Sequence, residues 1–275
     1  LSLVWKLRRA YDAVFVHMNQ EYILIAGLLW KWLRKPVYLW RNHYAGSVLT
    51  DIAAYFCAKV FCTSKHSYTA RYKKTVLMPV GVNIRAFAHG AERSRTQNSI
   101  LFLARLSPSK NLDMFIDALL VLNRKGVAFT ATVVGTPLPQ HEAYVYRENE
   151  RIVRAGLEHC VTFRPGVPHE KTIEQFATHG IFVNCSQSGM FDKTLFEAAA
   201  SGCLVLAVSR DFARLTAGES SFTGAEELAV RLEELIGLSA GVWSERARAL
   251  HMLAKAHSLE NLCERLASEL YSTYV

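Results

Sequence analysis

Two stretches of this sequence combine residue types and spacing in a way that could do chemistry. The first is ARLSPSKN, residues 104–111, where Arg105 and Lys110 lie between an apolar run and a helical one. Cations at the carboxyl end of a strand would project over a shared crevice and could hold two phosphates. The competing description is a strand-end arginine and a helix-start lysine, both merely solvated. A lysine in a first helical turn opposes the helix dipole, which favours the binding role.

The second stretch is SQSGMFDKTLFEAAASG, residues 186–202. Its helix is nearly all apolar and ends at Gly202, so it must be buried on most sides, and the lone Glu197 within it needs a partner. A ribose diol would serve, because a carboxylate can accept two hydroxyl hydrogen bonds; a buried arginine is the alternative. The backbone N–H groups near Thr194 and Leu195 would meet a phosphate at the helix N-terminus.

Absences narrow the chemistry. No strand is followed by G-x-G-x-x-G, and there is no G-x-x-x-x-G-K-[ST] phosphate loop. A D-x-D pair is missing, as are H-E-x-x-H and any His/Cys cluster with zinc spacing. No metal or other cofactor is expected. Phosphate would be held by side-chain cations and helix N-termini alone.

The elements that must position these residues are short β-branched runs alternating with amphipathic helical stretches. Strands are predicted at 13–16, 37–39, 59–62, 75–77, 100–104, 128–134, 160–163, 181–184 and 203–208. A helix is predicted over 3–11, and another over 111–124, with one apolar face and a stop at Gly126. Such alternation implies parallel sheets covered on both sides, an α/β class. The run MPVG, 78–81, followed by the polar run 89–98 reads as a linker. The expected division is 1–88, 89–258, and a C-terminal helix over 259–275 that returns toward the first domain. Only four strands precede the linker, where a doubly wound domain needs about five or six, so further elements are expected before Leu1.

Charge is unevenly spread. Residues 1–90 hold 13 Lys and Arg against three acids, and the rest holds 19 against 21. Trp30, Trp32 and Trp40 stand among Lys31, Arg34, Lys35 and Arg41, which would suit peripheral contact with an anionic membrane; a solvated basic face over packed tryptophans is the alternative. No nucleic-acid module is recognisable, and nucleic acid is not an expected partner. The apolar run 22–30 is cut by Lys31, and nothing resembles a signal peptide. Six cysteines without a C-x-x-C pair read as buried, reduced thiols, so a cytoplasmic location is expected, at most peripheral at the inner face of the membrane.

Taken together, ILFLARLSPSKNLDMFIDAL, VVGTP, VTFRPGVPHE and FDKTLFEAAASGCLVLA resemble the donor domain of family-four, GT-B-fold glycosyltransferases. MPVGVNIRAF is similar to their linker, and YDAVFVHMNQEY, KPVYLWRNHYAGS and VFCTSKHSYTARY to the later part of their acceptor domain. The resemblance implies two Rossmann-like domains, the first incomplete. It also implies retaining, metal-independent transfer of a sugar, hexosyl in type, from a nucleotide-diphosphate sugar to a glycan or lipid-linked acceptor, as in polysaccharide biosynthesis. It assigns Arg105 and Lys110 to the donor diphosphate, Glu197 to the ribose, Gly135 to a loop near the nucleotide, and the base to the neighbourhood of 165–168. His43 matches a cleft histidine that contacts donor sugar or acceptor, and joins Arg105 and Lys110 as a catalytic candidate.

One departure stands out. The family's first acid, eight residues before Glu197, is Gly189 here, and an Asp192-Lys193 pair precedes the helix, as in one subgroup. Asp192 could take over sugar contacts, or could be a helix N-cap, for which Asp is a preferred residue. An inactive nucleotide-sugar-binding module is the rival expectation from another functional class.

Overall fold

The computed structural model of the protein describes residues 1–88, 95–187 and 190–271. It divides into two compact units, Leu1–Val80 with Glu260–Val275, and Gly81–Leu259.

The first unit is built on a four-stranded parallel sheet: β1 (Val14–His17), β2 (Val37–Trp40), β3 (Lys59–Cys62) and β4 (Thr75–Leu77), in the order β1-β2-β3-β4. Helices α1 (Ser2–Lys6), α2 (Glu21–Trp32) and α3 (Val48–Phe56) are threaded between and before the strands. Alternation along β2 sorts its side chains: Val37 and Leu39 join Ile23, Ala26, Trp30 and Ala53 in one core. Tyr38 points the other way, joining Phe61 and Met78 beneath Leu262, Leu266 and Leu270 of the last helix (Leu259–Tyr271). Those leucines recur every fourth residue, one helical stripe. Lys59 Nζ pairs with Glu269 Oε2 at 2.8 Å beside that contact.

The three tryptophans of the basic segment do not form one face. Trp30 is buried and donates its indole N–H to Tyr11 Oη at 3.1 Å. Trp40 is half-buried, its ring 6.4 Å from that of Phe61. Trp32 alone is exposed, stacked on Trp5 at 5.7 Å. The opening helix is also shorter than its apolar content suggests, ending at Lys6 before a run of turns.

The second unit contains α4 (Ile84–Ala88), β5 (Thr96–Leu103), α5 (Leu112–Arg124), β6 (Thr130–Val134), α6 (Glu142–Arg154), β7 (Val161–Arg164), α7 (His169–Thr178), β8 (His179–Asn184), α8 (Lys193–Ala200), β9 (Leu204–Ala207), α9 (Arg210–Leu215), α10 (Ala225–Ile236) and α11 (Ala240–Ala256). The helix begun at Leu259 is α12. All five strands are parallel, in the order β7-β6-β5-β8-β9. Helices α5, α6 and α10 pack on one another, and α4, α7, α8 and α11 form a second group. The sheet is therefore doubly wound, and both units are Rossmann-like α/β layers.

Among the described residues, all nine strands fall where apolar runs predict them, with shifts of a few residues at their ends. The largest is in β5, which starts at Thr96 through the polar segment TQNS. Its register against β8 shifts between Thr96 and Ile100, and Ser99 Oγ bonds back to the Thr96 carbonyl at 2.5 Å. An irregular polar segment of this kind carries no period-two signature. Of the expected linker, 89–94 lies outside the described residues. Among the described residues no helix is long and apolar enough to cross a membrane.

Candidate functional site

Strand order reverses at β5. From β5 the chain winds outward to β6 and β7, then returns to place β8 on β5's other side. At such a switch point the two following loops leave in opposite directions and open a crevice at the carboxyl ends of the strands. A cleft of about 510 Å³ lies there, lined by Arg105 and Lys110 after β5, by Asn184 at the end of β8, and by Asp192, Lys193 and Thr194 after it. Gly135 and Thr136 after β6, and Gly166 and Val167 after β7, complete its wall.

On the β5 side, Arg105 is exposed, and among the described residues its guanidinium has no hydrogen-bond or ion-pair partner. Lys110 is not in the first turn of α5. It closes a separate 3₁₀ turn, Pro108–Lys110, and Asn111 follows in the left-handed conformation with φ 48°. Asparagine tolerates that region, and its Nδ2 donates to the Cys185 carbonyl at 2.8 Å, tying this turn to the β8 loop. The dipole argument for Lys110 therefore does not apply. Its ammonium, half-buried, is bonded across the cleft rather than merely solvated.

The bonding partner is Asp192. Lys110 Nζ lies 2.9 Å from Asp192 Oδ2 and 2.8 Å from Ser186 Oγ. Asn184 Nδ2 and Ser186 Oγ also donate to Asp192 Oδ2, at 2.8 and 2.9 Å. The Asn184 amide is oriented unambiguously, since its Oδ1 accepts the Ser186 N–H at 3.0 Å. Burial alone would push the Asp192 carboxyl up, but the Lys110 charge and the converging donors outweigh it and hold the group below the usual carboxylate range. Asp192 occupies the N-cap position of α8 in extended backbone, yet its side chain makes no cap hydrogen bond. Asp192 is thus the N-cap by position, as expected, but not by side-chain bonding: its carboxylate is taken by three other donors.

Helix α8 begins at the cleft. Its first amides, of Lys193 and Thr194, are those that intrahelical bonding leaves unpaired. The Leu195 amide is already engaged by the Asp192 carbonyl at 3.1 Å, so that part of the expectation is corrected too. Gly135 is required by close approach, because a Cβ there would stand 2.0 Å from the Ala104 carbonyl oxygen. Among the described residues no three His, Cys, Asp or Glu side chains cluster as metal ligands would.

The family described as "Glycosyl transferases group 1" matches residues 85–226, more than half of the chain and the whole of this cleft. The chain belongs to the group 1 glycosyl transferases. No curated protein sequence matches it. Among solved structures it is similar to Anabaena HepE in complex with UDP, with 20% identity and a TM-score of 0.83 over 98% of this chain and 81% of that one. A glycosyltransferase from Rickettsia africae gives 19% identity and 0.80 over 99% and 79%. A point mutant of S. aureus TarM, in complex with fondaparinux, α-GlcNAc-glycerol and UDP, gives 14% and 0.74 over 96% and 57%. These likenesses show the GT-B fold.

Within this group 1 glycosyl transferase, not every expected site residue meets at the cleft. Arg105, Lys110, Gly135, Asp192, Lys193 and Thr194 line it; Leu195 and Glu197 do not. Glu197 is buried one turn along α8, and its Oε1 lies 3.0 Å from His169 Nε2 at the start of α7. Its protein partner is therefore a histidine rather than the arginine considered from sequence. His43 belongs to the first unit, where its Nδ1 lies 3.0 Å from the Ala45 amide and its ring stacks on Tyr44 at 4.6 Å. Gly189 lies outside the described residues. Sequence reading missed Asn184, Ser186, Thr136 and His169. Asn184 and Ser186 end an apolar strand and could have been flagged as its polar terminus; Thr136 Oγ1, which accepts the Gly166 N–H at 2.9 Å, carries no local signal.

Proposed function

We propose that this chain transfers a sugar, hexosyl in type, from a nucleotide-diphosphate sugar to a glycan or lipid-linked acceptor, with retention and without a metal. The observation that carries the reading is the switch-point cleft, where Arg105, unpartnered among the described residues, the Lys110 ammonium and the α8 N-terminus converge. Departure of a nucleoside diphosphate develops negative charge on its β-phosphate. Preorganised cations and amides aimed at that position stabilise it with little reorganisation, the role a divalent ion takes elsewhere. Arg105 binds the diphosphate from the β5 side and Lys110 from the floor, while α8 meets it end-on. Retention follows from attack on the face from which the leaving group departs, with no protein nucleophile assigned. Glu197 is the ribose acceptor of this reading, held by His169. The base lies toward Gly166 and Val167, and His43 contacts sugar or acceptor.

We place any contact with an anionic bilayer on α2, where Tyr22, Ile25, Leu28 and Trp32 are exposed beside Lys31 and Arg34.

The test is thermal stabilisation by UDP, GDP and ADP, with NAD as control, repeated with EDTA and with Arg105→Ala. UDP comes first because a fold neighbour was crystallised with it. Stabilisation by one diphosphate that survives EDTA and vanishes in the variant is the expected result. Loss of stabilisation on adding EDTA would overturn the metal-free part, and no stabilisation by any diphosphate would overturn the site. Incubation with the matching nucleotide sugar then separates an enzyme, which transfers or hydrolyses it, from a binding module, which does neither.

A further inference from the structure

Asp192 is the only acid among the described residues that line the cleft. A carboxylate in a phosphate cradle repels the ligand the cradle is built for, so its presence calls for another role. Its two oxygens are used very differently. Oδ2 takes all three donors, from Lys110, Asn184 and Ser186, at 2.8–2.9 Å. Among the described residues Oδ1 makes no hydrogen bond, and it is not a buried unsatisfied atom. The side chain is 31% exposed, and it fronts the cleft. The network thus clamps the carboxylate in one orientation, with a bare acceptor directed outward next to the Lys110 ammonium. Neither a helix cap nor a simple counter-ion needs that arrangement.

We propose that Asp192 Oδ1 accepts a hydroxyl of the transferred sugar, making Asp192 a specificity-determining residue on the sugar side of the site. The inference rests on the nucleotide-sugar reading above. It sets a division of labour within one ion pair: Lys110 faces the leaving diphosphate while Asp192 faces the sugar attached to it. A hydroxyl has a proton to donate and a phosphate oxygen has none, so Oδ1 discriminates between a nucleotide sugar and a bare nucleotide diphosphate.

The clamp also predicts what an amide would do here. In Asp192→Asn the single side-chain oxygen is claimed by the three donors, which turns the NH₂ group toward the cleft. The variant keeps the network and reverses the hydrogen-bond polarity of the exposed atom. Asp192→Ala removes both.

Calorimetric titration of the intact chain with UDP and UDP-glucose tests this, with the GDP and ADP pairs as parallel arms. Both variants are expected to lose about tenfold or more in affinity for the nucleotide sugar. For Asp192→Asn, which keeps the network around Lys110, affinity for the bare diphosphate should change by less than about threefold, or improve as a negative charge is removed. A deoxy-sugar conjugate lacking the partnered hydroxyl should bind wild type and Asp192→Asn about equally, since the interaction is already absent. Equal loss for nucleotide and nucleotide sugar would overturn the proposal, leaving Asp192 as a support for Lys110 alone. An unchanged ratio in both variants would overturn it as well. If wild type binds nucleotides but the ratio does not move, only this assignment fails. If wild type binds no nucleotide diphosphate, the reading of the cleft fails and this inference with it.

Discussion

The two units are built by the same local plan, parallel strands joined by helices, yet among the described residues only the second reverses its strand order and so opens a crevice. In the first unit the strands lie in sequential order, so successive loops leave the sheet in the same direction and none diverges from its neighbour. In the second, order reverses between β6 and β8 around β5, and the loops after β5 and β8 part to form the cleft. Charge does not locate the site. The first 90 residues carry the whole of the basic excess, and of their 13 cations Arg71 is ion-paired with Asp51, Lys59 with Glu269 and Lys35 with Asp12. The cleft cation Arg105 sits in the part that is nearly neutral and has no such commitment among the described residues. A cation placed at a switch point is more informative than a larger basic excess elsewhere.

The sharpest way to break this comparison is Arg105→Ala. Loss of one preorganised donor to a developing oxyanion raises a barrier by about 2.7–4 kcal/mol, so turnover should fall by roughly 10²–10³-fold. The exposed side chain holds nothing together, so circular dichroism and melting temperature should match wild type. A variant with near-normal turnover would remove Arg105 from the mechanism. Next comes Gly135→Ala, which sets a methyl 2.0 Å from the Ala104 carbonyl oxygen. Backbone cannot yield as a side chain can, so destabilisation of about 1–3 kcal/mol is expected. Nucleotide affinity should fall with it, measured by melting and titration on the same sample.

Gly46→Ala is the counterpart in the first unit, where the added Cβ meets the Tyr68 ring at 2.1 Å. It should lower the melting temperature, because the Tyr68 ring, whose hydroxyl is bonded to Asp51 and Arg71, must shift. Diphosphate affinity should stay within about twofold of wild type if binding belongs to the second unit alone. A parallel loss of affinity would break the contrast between the units. The last effect is a pH dependence. His257 is packed against Phe196 at 4.3 Å and Phe191 at 5.5 Å, and burial holds its pKa down to about 4. The unfolded chain binds this proton near the ordinary value of about 6.5 and the folded chain does not, so stability should decline as pH drops from there toward about 4. His257→Phe should flatten that slope in pH-stepped denaturation. The Asp192 contribution has the opposite origin. It is complete above the unfolded carboxylate value and is lost only at lower pH, through a folded pKa that lies below it.

Much of this architecture was legible in the residues themselves. Strands buried on both faces are written as short apolar runs such as 181–184 and 204–207, and all nine could be placed from them. Arg105, Lys110, Lys193 and Thr194 could be flagged because strand ends and helix starts are local features. The polar start of β5 was not legible, nor was the true place of Lys110 in a turn preceding its helix. Trp30 and Trp32 are two residues apart and differ only in which side of α2 they occupy, and only one reaches solvent.

The partnerships that shape the site lay beyond local reading altogether. An N-cap is a local feature and suggests itself for Asp192, whereas the real partner of that carboxylate stands 82 residues earlier in the chain. Glu197 meets His169 from 28 residues away. By itself the sequence determined the α/β class, the strands and the cations proposed to bind phosphate, because periodicity and element boundaries depend on neighbours within a few positions. Only the tertiary structure decided the strand order, the position of the crevice, and which oxygen of Asp192 remains available. Those depend on which distant segments pack side by side, and no local pattern encodes that.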